Sequence, residues 1–187
     1  MKHLKMLGLA LMATAALMAL AGPTSATTLT SPAGTEYTGE LNYTATGSLL
    51  FEIGFVDITC TSSTIKGKVE SNGGATAGGK ISTLSFSGCG ESTVDTLANG
   101  SFAIGSSGGG QGAVTGSGSV VTFAVFGISC AYKTITFPQM GPVTGGTPAT
   151  FTLDASVPLE SGGFLCSKTA TWTGKYQVTS PGTLLVD

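Results

Sequence analysis

The chain has 187 residues, of which 10% are charged, and it carries 29 glycines, four cysteines and a single histidine, for a net charge of −2. That balance gives no basic footprint of the kind that nucleic acid or an anionic membrane surface selects. The histidine is His3, so beyond the first residues there is no imidazole for a nucleophilic triad or a zinc site.

The first segment reads as an export leader. Lys2 and Lys5 precede an uncharged apolar run from Met6 to Ala21, and small residues follow to Ala26. Cleavage is expected after Ala26, with Thr24 and Ala26 as the small pair; Ala21 is the second option. The apolar run is short of the ~20 residues that span a bilayer, and no later stretch is longer. The expected product is a single exported domain, residues 27–187, with no membrane span. Its six lysines and ten carboxylates leave a net charge of −4.

Strand patterns then follow one another along the chain. Tyr37, Gly39, Leu41, Tyr43 and Ala45 alternate with polar partners from Thr38 to Thr46. The apolar phase slips at Gly54 and again at Gly127, which predicts bulges there. Asn72-Gly73 and Asn99-Gly100 suit the positive φ of tight hairpin turns. Leu84 and Phe86, Phe102 and Ile104, and Val121, Phe123 and Val125 are shorter alternating runs. Gly108-Gly-Gly110-Gln-Gly-Ala113 superficially fits a dinucleotide fingerprint. It opens no helix, however, and reads as a hairpin loop. Phe151, Leu153, Ala155 and Val157 alternate with Thr150, Thr152, Asp154 and Ser156. Ala170, Trp172, Gly174, Tyr176 and Val178 alternate with Thr169, Thr171, Thr173, Lys175 and Gln177, and Trp172 is expected in the core. The predicted fold is all-β: an antiparallel sandwich of Greek-key type, or a barrel. A short echo, Phe55-Val-Asp-Ile-Thr-Cys60 against Phe126-Gly-Ile-Ser-Cys130, suggests two similar halves.

Cys60, Cys89, Cys130 and Cys166 are even in number and lie past the leader, which predicts two disulfides. Three pairings are possible; 60–89 with 130–166 is favoured because each bridge then staples one half. Zinc is disfavoured by the lack of Cys-x-x-Cys spacing and of histidine. No metal or cofactor is expected. Ser167-Lys168 are neighbours, but adjacent strand residues face opposite ways. Paired carboxylates are the one enzymatic route left open, with Glu36, Glu40, Glu52, Asp57, Glu70, Glu91, Asp95, Asp154 and Glu160 as candidates in no motif.

In Ser31-Pro-Ala-Gly-Thr-Glu-Tyr-Thr-Gly39, Thr59-Cys-Thr-Ser-Ser-Thr-Ile-Lys-Gly67, Leu84-Ser-Phe-Ser-Gly-Cys89, Thr144-Gly-Gly-Thr-Pro-Ala-Thr150 and Val178-Thr-Ser-Pro181 the chain resembles a family of small secreted bacterial proteins of unassigned function. The resemblance implies an exported all-β domain and brings no catalytic residue with it. The residues favour a non-enzymatic secreted structural or adhesive protein, self-associating through a donated strand drawn from residues 27–45. The alternative is an extracellular polysaccharide-binding module that stacks sugars on Tyr37, Tyr43 or Tyr132; a carboxylate-pair hydrolase ranks third.

Overall fold

The computed structural model describes residues 26–32, 34–135 and 139–187, so the expected leader, residues 1–26, lies outside the described residues except for Ala26. β1 (Leu29–Thr30) is the short first strand of the described residues. β2 (Glu40–Ala45) and β3 (Leu49–Ile53) are two halves of one long stave bent at 46–48, and β4 (Val56–Cys60) with β5 (Ser62–Ser71) is the stave returning beside it. β6 (Ala77–Ser87) is continuous. Three further bent staves pair β7 (Thr93–Ala98) with β8 (Ser101–Gly108), β9 (Gln111–Ser117) with β10 (Val120–Val125), and β11 (Ile128–Lys133) with β12 (Gln139–Thr144). β13 (Thr150–Gly162) and β14 (Thr169–Ser180) run unbroken, and β15 (Leu185–Val186) follows them.

Each stave meets the next in sequence, antiparallel, and the ladder β14–β2–β5–β6–β8–β9–β12–β13 returns to β14 to close an eight-stranded barrel. β13 and β14 outrun that ring. Above it β14 pairs with β3 and β13 with β11, so the wall continues through β4–β3–β14–β13–β11–β10–β7. The all-β antiparallel architecture is therefore as expected, in its closed form, and among the described residues its connections are those of a meander with no Greek-key crossover. In the upper half, side chains replace part of the ladder between β6 and β7. Thr96 Oγ1 donates to the Leu84 carbonyl (2.7 Å) and Asn99 Nδ2 to that of Ser82 (2.9 Å).

Period-two alternation builds this wall because it sends one face inward along its whole length. On β13, Phe151, Leu153, Ala155 and Val157 are buried while Thr152, Asp154 and Ser156 are exposed. On β14, Ala170, Trp172, Tyr176 and Val178 point into the barrel. Gly174 interrupts that inward row because a Cβ there would stand 3.0 Å from Leu49 Cδ2, so the glycine makes room for Leu49. A membrane-spanning barrel has the reverse pattern, apolar outward. No helix among the described residues is long and apolar enough to cross a membrane.

The interior divides into two cores. The upper one is aromatic: Phe51 lies 4.7 Å from Phe123, 5.3 Å from Phe86 and 5.4 Å from Trp172 between ring centroids. The lower one is aliphatic, built on Leu41, Val69, Ile104, Val143 and Val178. β1 and β15 close it: Leu29 pairs with Val186 and Thr30 with Leu185, and Leu29, Leu184 and Val186 are fully buried. Asn72 locks this plug, accepting from the Leu29 N–H (2.8 Å) and donating to the Leu29 and Tyr37 carbonyls (2.8 and 3.0 Å).

Disulfides Cys60–Cys89 and Cys130–Cys166 form as expected. In the chain-entropy account, bridges of this span stabilise by about 3–4 kcal/mol each. Two disulfides suit an oxidising extracellular or periplasmic environment.

Several expectations need correction. Gly54 and Gly127 are turn residues joining β3 to β4 and β10 to β11, since the phase slips where the chain reverses. Asn99-Gly100 reverses nothing; it is the bend between β7 and β8, which run in one direction. Asn72-Gly73 lies in a longer β5–β6 connection rather than a tight turn. The donor strand proposed from 27–45 is already used: β1 lies in the plug, and β2 is flanked by β14 and β5. Gly109 and Gly110, both at positive φ, do form the expected hairpin turn between β8 and β9.

Candidate functional site at the barrel crown

The end opposite the plug carries four connections, and three of them present phenylalanine to solvent. In Ile53-Gly54-Phe55-Val56, Gly54 at φ +66° makes the reversal and Phe55 is 84% exposed. In Val125-Phe126-Gly127-Ile128, Phe126 is also 84% exposed and takes φ +51°, with Gly127 at +78°. Two positive φ values in a two-residue loop are the pattern of a type I′ turn, whose first position favours Asn, Asp or Gly. A bulky side chain there costs about 1–2 kcal/mol, and such strain concentrates at sites with a job. Phe126 is the one non-glycine residue at positive φ among those described.

The third tip joins β13 to β14. Phe164 is 96% exposed and Leu165 beside it is half exposed. The Cys166 N–H closes the turn on the Gly163 carbonyl (3.0 Å), and the disulfide to Cys130 fastens it to β11. The fourth connection, around Gly88 to Ser92, bears Glu91 and no aromatic residue.

Topology sets the three tips side by side. β3 pairs with β14 and β13 with β11, so the hairpins β3–β4, β13–β14 and β10–β11 are consecutive in the wall. At ~4.8 Å per strand, neighbouring hairpins stand about 10 Å apart. Below the tips the outer surface turns polar. Glu52 and Asp57 face each other across β3 and β4, Lys168 is exposed beside the third tip, and Lys133 bonds Glu160 at 3.1 Å lower on β11 and β13.

The tyrosines expected to stack on sugars do not form this site. Tyr132 is 2% exposed and donates to the Ser167 carbonyl (3.0 Å), because it shares the inward phase of Cys130. Tyr43 packs edge-on against Phe151, and half-buried Tyr37 donates to the Glu40 carbonyl. Glu52 and Asp57 are the acids that the ladder sets opposite one another, but they lie exposed on an outer wall. No group of three or more potential metal ligands occurs among the described residues.

Two concavities lie elsewhere. The barrel holds an interior cavity of about 60 Å³ lined mostly by apolar residues, among them Leu41, Ile65, Phe102, Val114, Met140 and Trp172. On the outer wall, the bend at 46–48 leaves a groove of about 430 Å³ beside Thr152, Asp154, Thr173 and Lys175. Sequence reasoning missed the crown although its signal was visible: at both phase slips a phenylalanine sits next to the glycine. The echo of Phe55 to Cys60 in Phe126 to Cys130 has the same origin, since each is a tip followed by a descending strand that carries a bridged cysteine. No family model, curated protein or solved structure matches the chain.

Proposed function

We propose that the protein is an exported, non-enzymatic adhesion module that attaches through its crown. The observation that carries this reading is the exposure of Phe55, Phe126 and Phe164 on three consecutive tips of one barrel end. Clustered exposed aromatics are costly to keep in water and mark binding surfaces. The barrel acts as a stiff mount, with its disulfides in the half that bears the crown. Export suits the leader pattern and the two bridges.

The test is adsorption to alkyl-coated beads of the protein exported from its own leader. The parent should be retained, and the Phe55→Ser, Phe126→Ser, Phe164→Ser variant should pass through while melting at a similar temperature. Equal retention of both would overturn the reading.

The groove on the outer wall favours glycan binding as a second reading. Thr46, Ser48, Thr152 and Thr173 offer hydroxyls there, with Asp154 and Lys175 able to accept and donate to sugar hydroxyls. Retention on a polysaccharide column that Asp154→Ala abolishes would support it; passage through every such column would discard it.

A further inference from the structure

We infer that the surface the crown engages is a zwitterionic lipid bilayer, an assignment that rests on the adhesive reading above. The first argument is the polarity profile along the barrel axis. Glu52 and Asp57 lie two to three residues from Phe55, Ser129 lies three from Phe126, and Glu160 lies four from Phe164. At ~3.3 Å per residue the outer surface passes from aromatic to polar within roughly 10 Å, to carboxylates below Phe55 and Phe164 and to a hydroxyl below Phe126. That matches the 5–10 Å over which an interfacial protein enters a headgroup layer while its charges stay in water.

The second argument is shape. The three rings stand on separate turns about 10 Å apart, with Gly54, Gly127 and Gly163 beside them. Neither the wall groove nor the interior cavity is lined by a crown residue. A rigid protein partner would need three separate pockets in register, whereas lipid closes around each ring independently. The third argument is charge. Glu52, Asp57, Glu91 and Glu160 outnumber Lys133 and Lys168 around this end, which repels anionic headgroups and leaves zwitterionic ones.

The experiment is flotation of the exported, disulfide-intact protein with phosphatidylcholine vesicles, and with the same vesicles doped with phosphatidylglycerol. The parent should float with phosphatidylcholine and bind the doped vesicles more weakly. Each single substitution, Phe55→Ser, Phe126→Ser or Phe164→Ser, should lower the partition coefficient about tenfold, and the triple variant should remain at the bottom. Retention on alkyl beads without flotation would overturn the bilayer assignment and leave the adhesive reading standing. Failure on both would overturn both. Flotation that survives the triple substitution, or that strengthens with anionic lipid, would overturn the assignment as well.

Discussion

The two ends of the barrel solve the same problem in opposite ways. At the lower end, β1 and the β15 segment fold across the opening and bury Leu29, Leu184 and Val186 completely. At the upper end, the lumen is filled from within by Phe51, Phe123, Tyr132 and Trp172, and the connecting turns hold their largest side chains outward. Both ends are built by the same meander, so the difference is not imposed by topology. A chain that can cover apolar residues at one end leaves three phenylalanines uncovered at the other. One end is finished as structure and the other is left available.

The largest effect that would sharpen this contrast is a cavity in the upper core. Phe51→Ala removes the ring that touches Phe86, Phe123 and Trp172, and should cost about 3–5 kcal/mol in a denaturant titration. A loss under 1 kcal/mol would mean that the aromatic cluster does not hold the crown's mount together. At the lower end the corresponding weak point is polar. Asn72→Ala deletes three hydrogen bonds to β1 and the segment after it; the Leu29 carbonyl keeps its bond from the Tyr37 N–H (2.8 Å), but the Leu29 N–H loses its partner, at about 1–3 kcal/mol. Hydrogen exchange should then quicken at Leu29, whose N–H Asn72 accepts, while β13 and β14 stay protected. Uniform acceleration would show that the plug and the barrel unfold as one unit.

Much of this fold was legible because alternation and cysteine spacing are local signals. The long β13 and β14 patterns set their inward faces directly, and stapling each half gave the observed disulfides. The plug was not legible. β1 and β15 are two residues each, paired between opposite ends of the chain, and only the closing of the barrel brings them together. The crown was missed through a misassigned cause. An alternation that slips by one residue is the same in sequence whether the strand bulges or the chain turns back, and at Gly54 and Gly127 it turns back. Tyr132, by contrast, could have been placed inside: it lies two residues from Cys130 and so shares the bridged cysteine's face.

A smaller effect comes from Tyr176, whose phenol is pushed above its ordinary value of about 10, first by burial and against the opposing bond to Ser63 Oγ (3.0 Å). The folded state therefore keeps a proton that the unfolded chain releases above pH 10. The contribution of Tyr176 to stability should be level below that pH and fall by about 1 kcal/mol over the next pH unit, beside that of Tyr43, whose phenol is likewise raised by burial. Melting temperatures of the parent and of Tyr176→Phe across pH 9–11 provide the check, the variant showing the shallower decline. Parallel declines would place the alkaline sensitivity elsewhere.

The smallest effect separates the two ends most directly, because stability and function should move in opposite directions. Phe126 holds a left-handed conformation that asparagine adopts at lower cost, so Phe126→Asn should stabilise the fold by about 1 kcal/mol. The same change removes one of the three exposed rings and should weaken adsorption to alkyl beads about tenfold. At the plugged end no exchange of this kind is available: Leu29, Leu184 and Val186 are already buried, and polar replacements there should only destabilise. A variant at position 126 that is both less stable and equally adhesive would remove the strain argument and the crown together. A more stable, less adhesive one would mean that the phenylalanine is kept at that turn for what it touches outside the molecule.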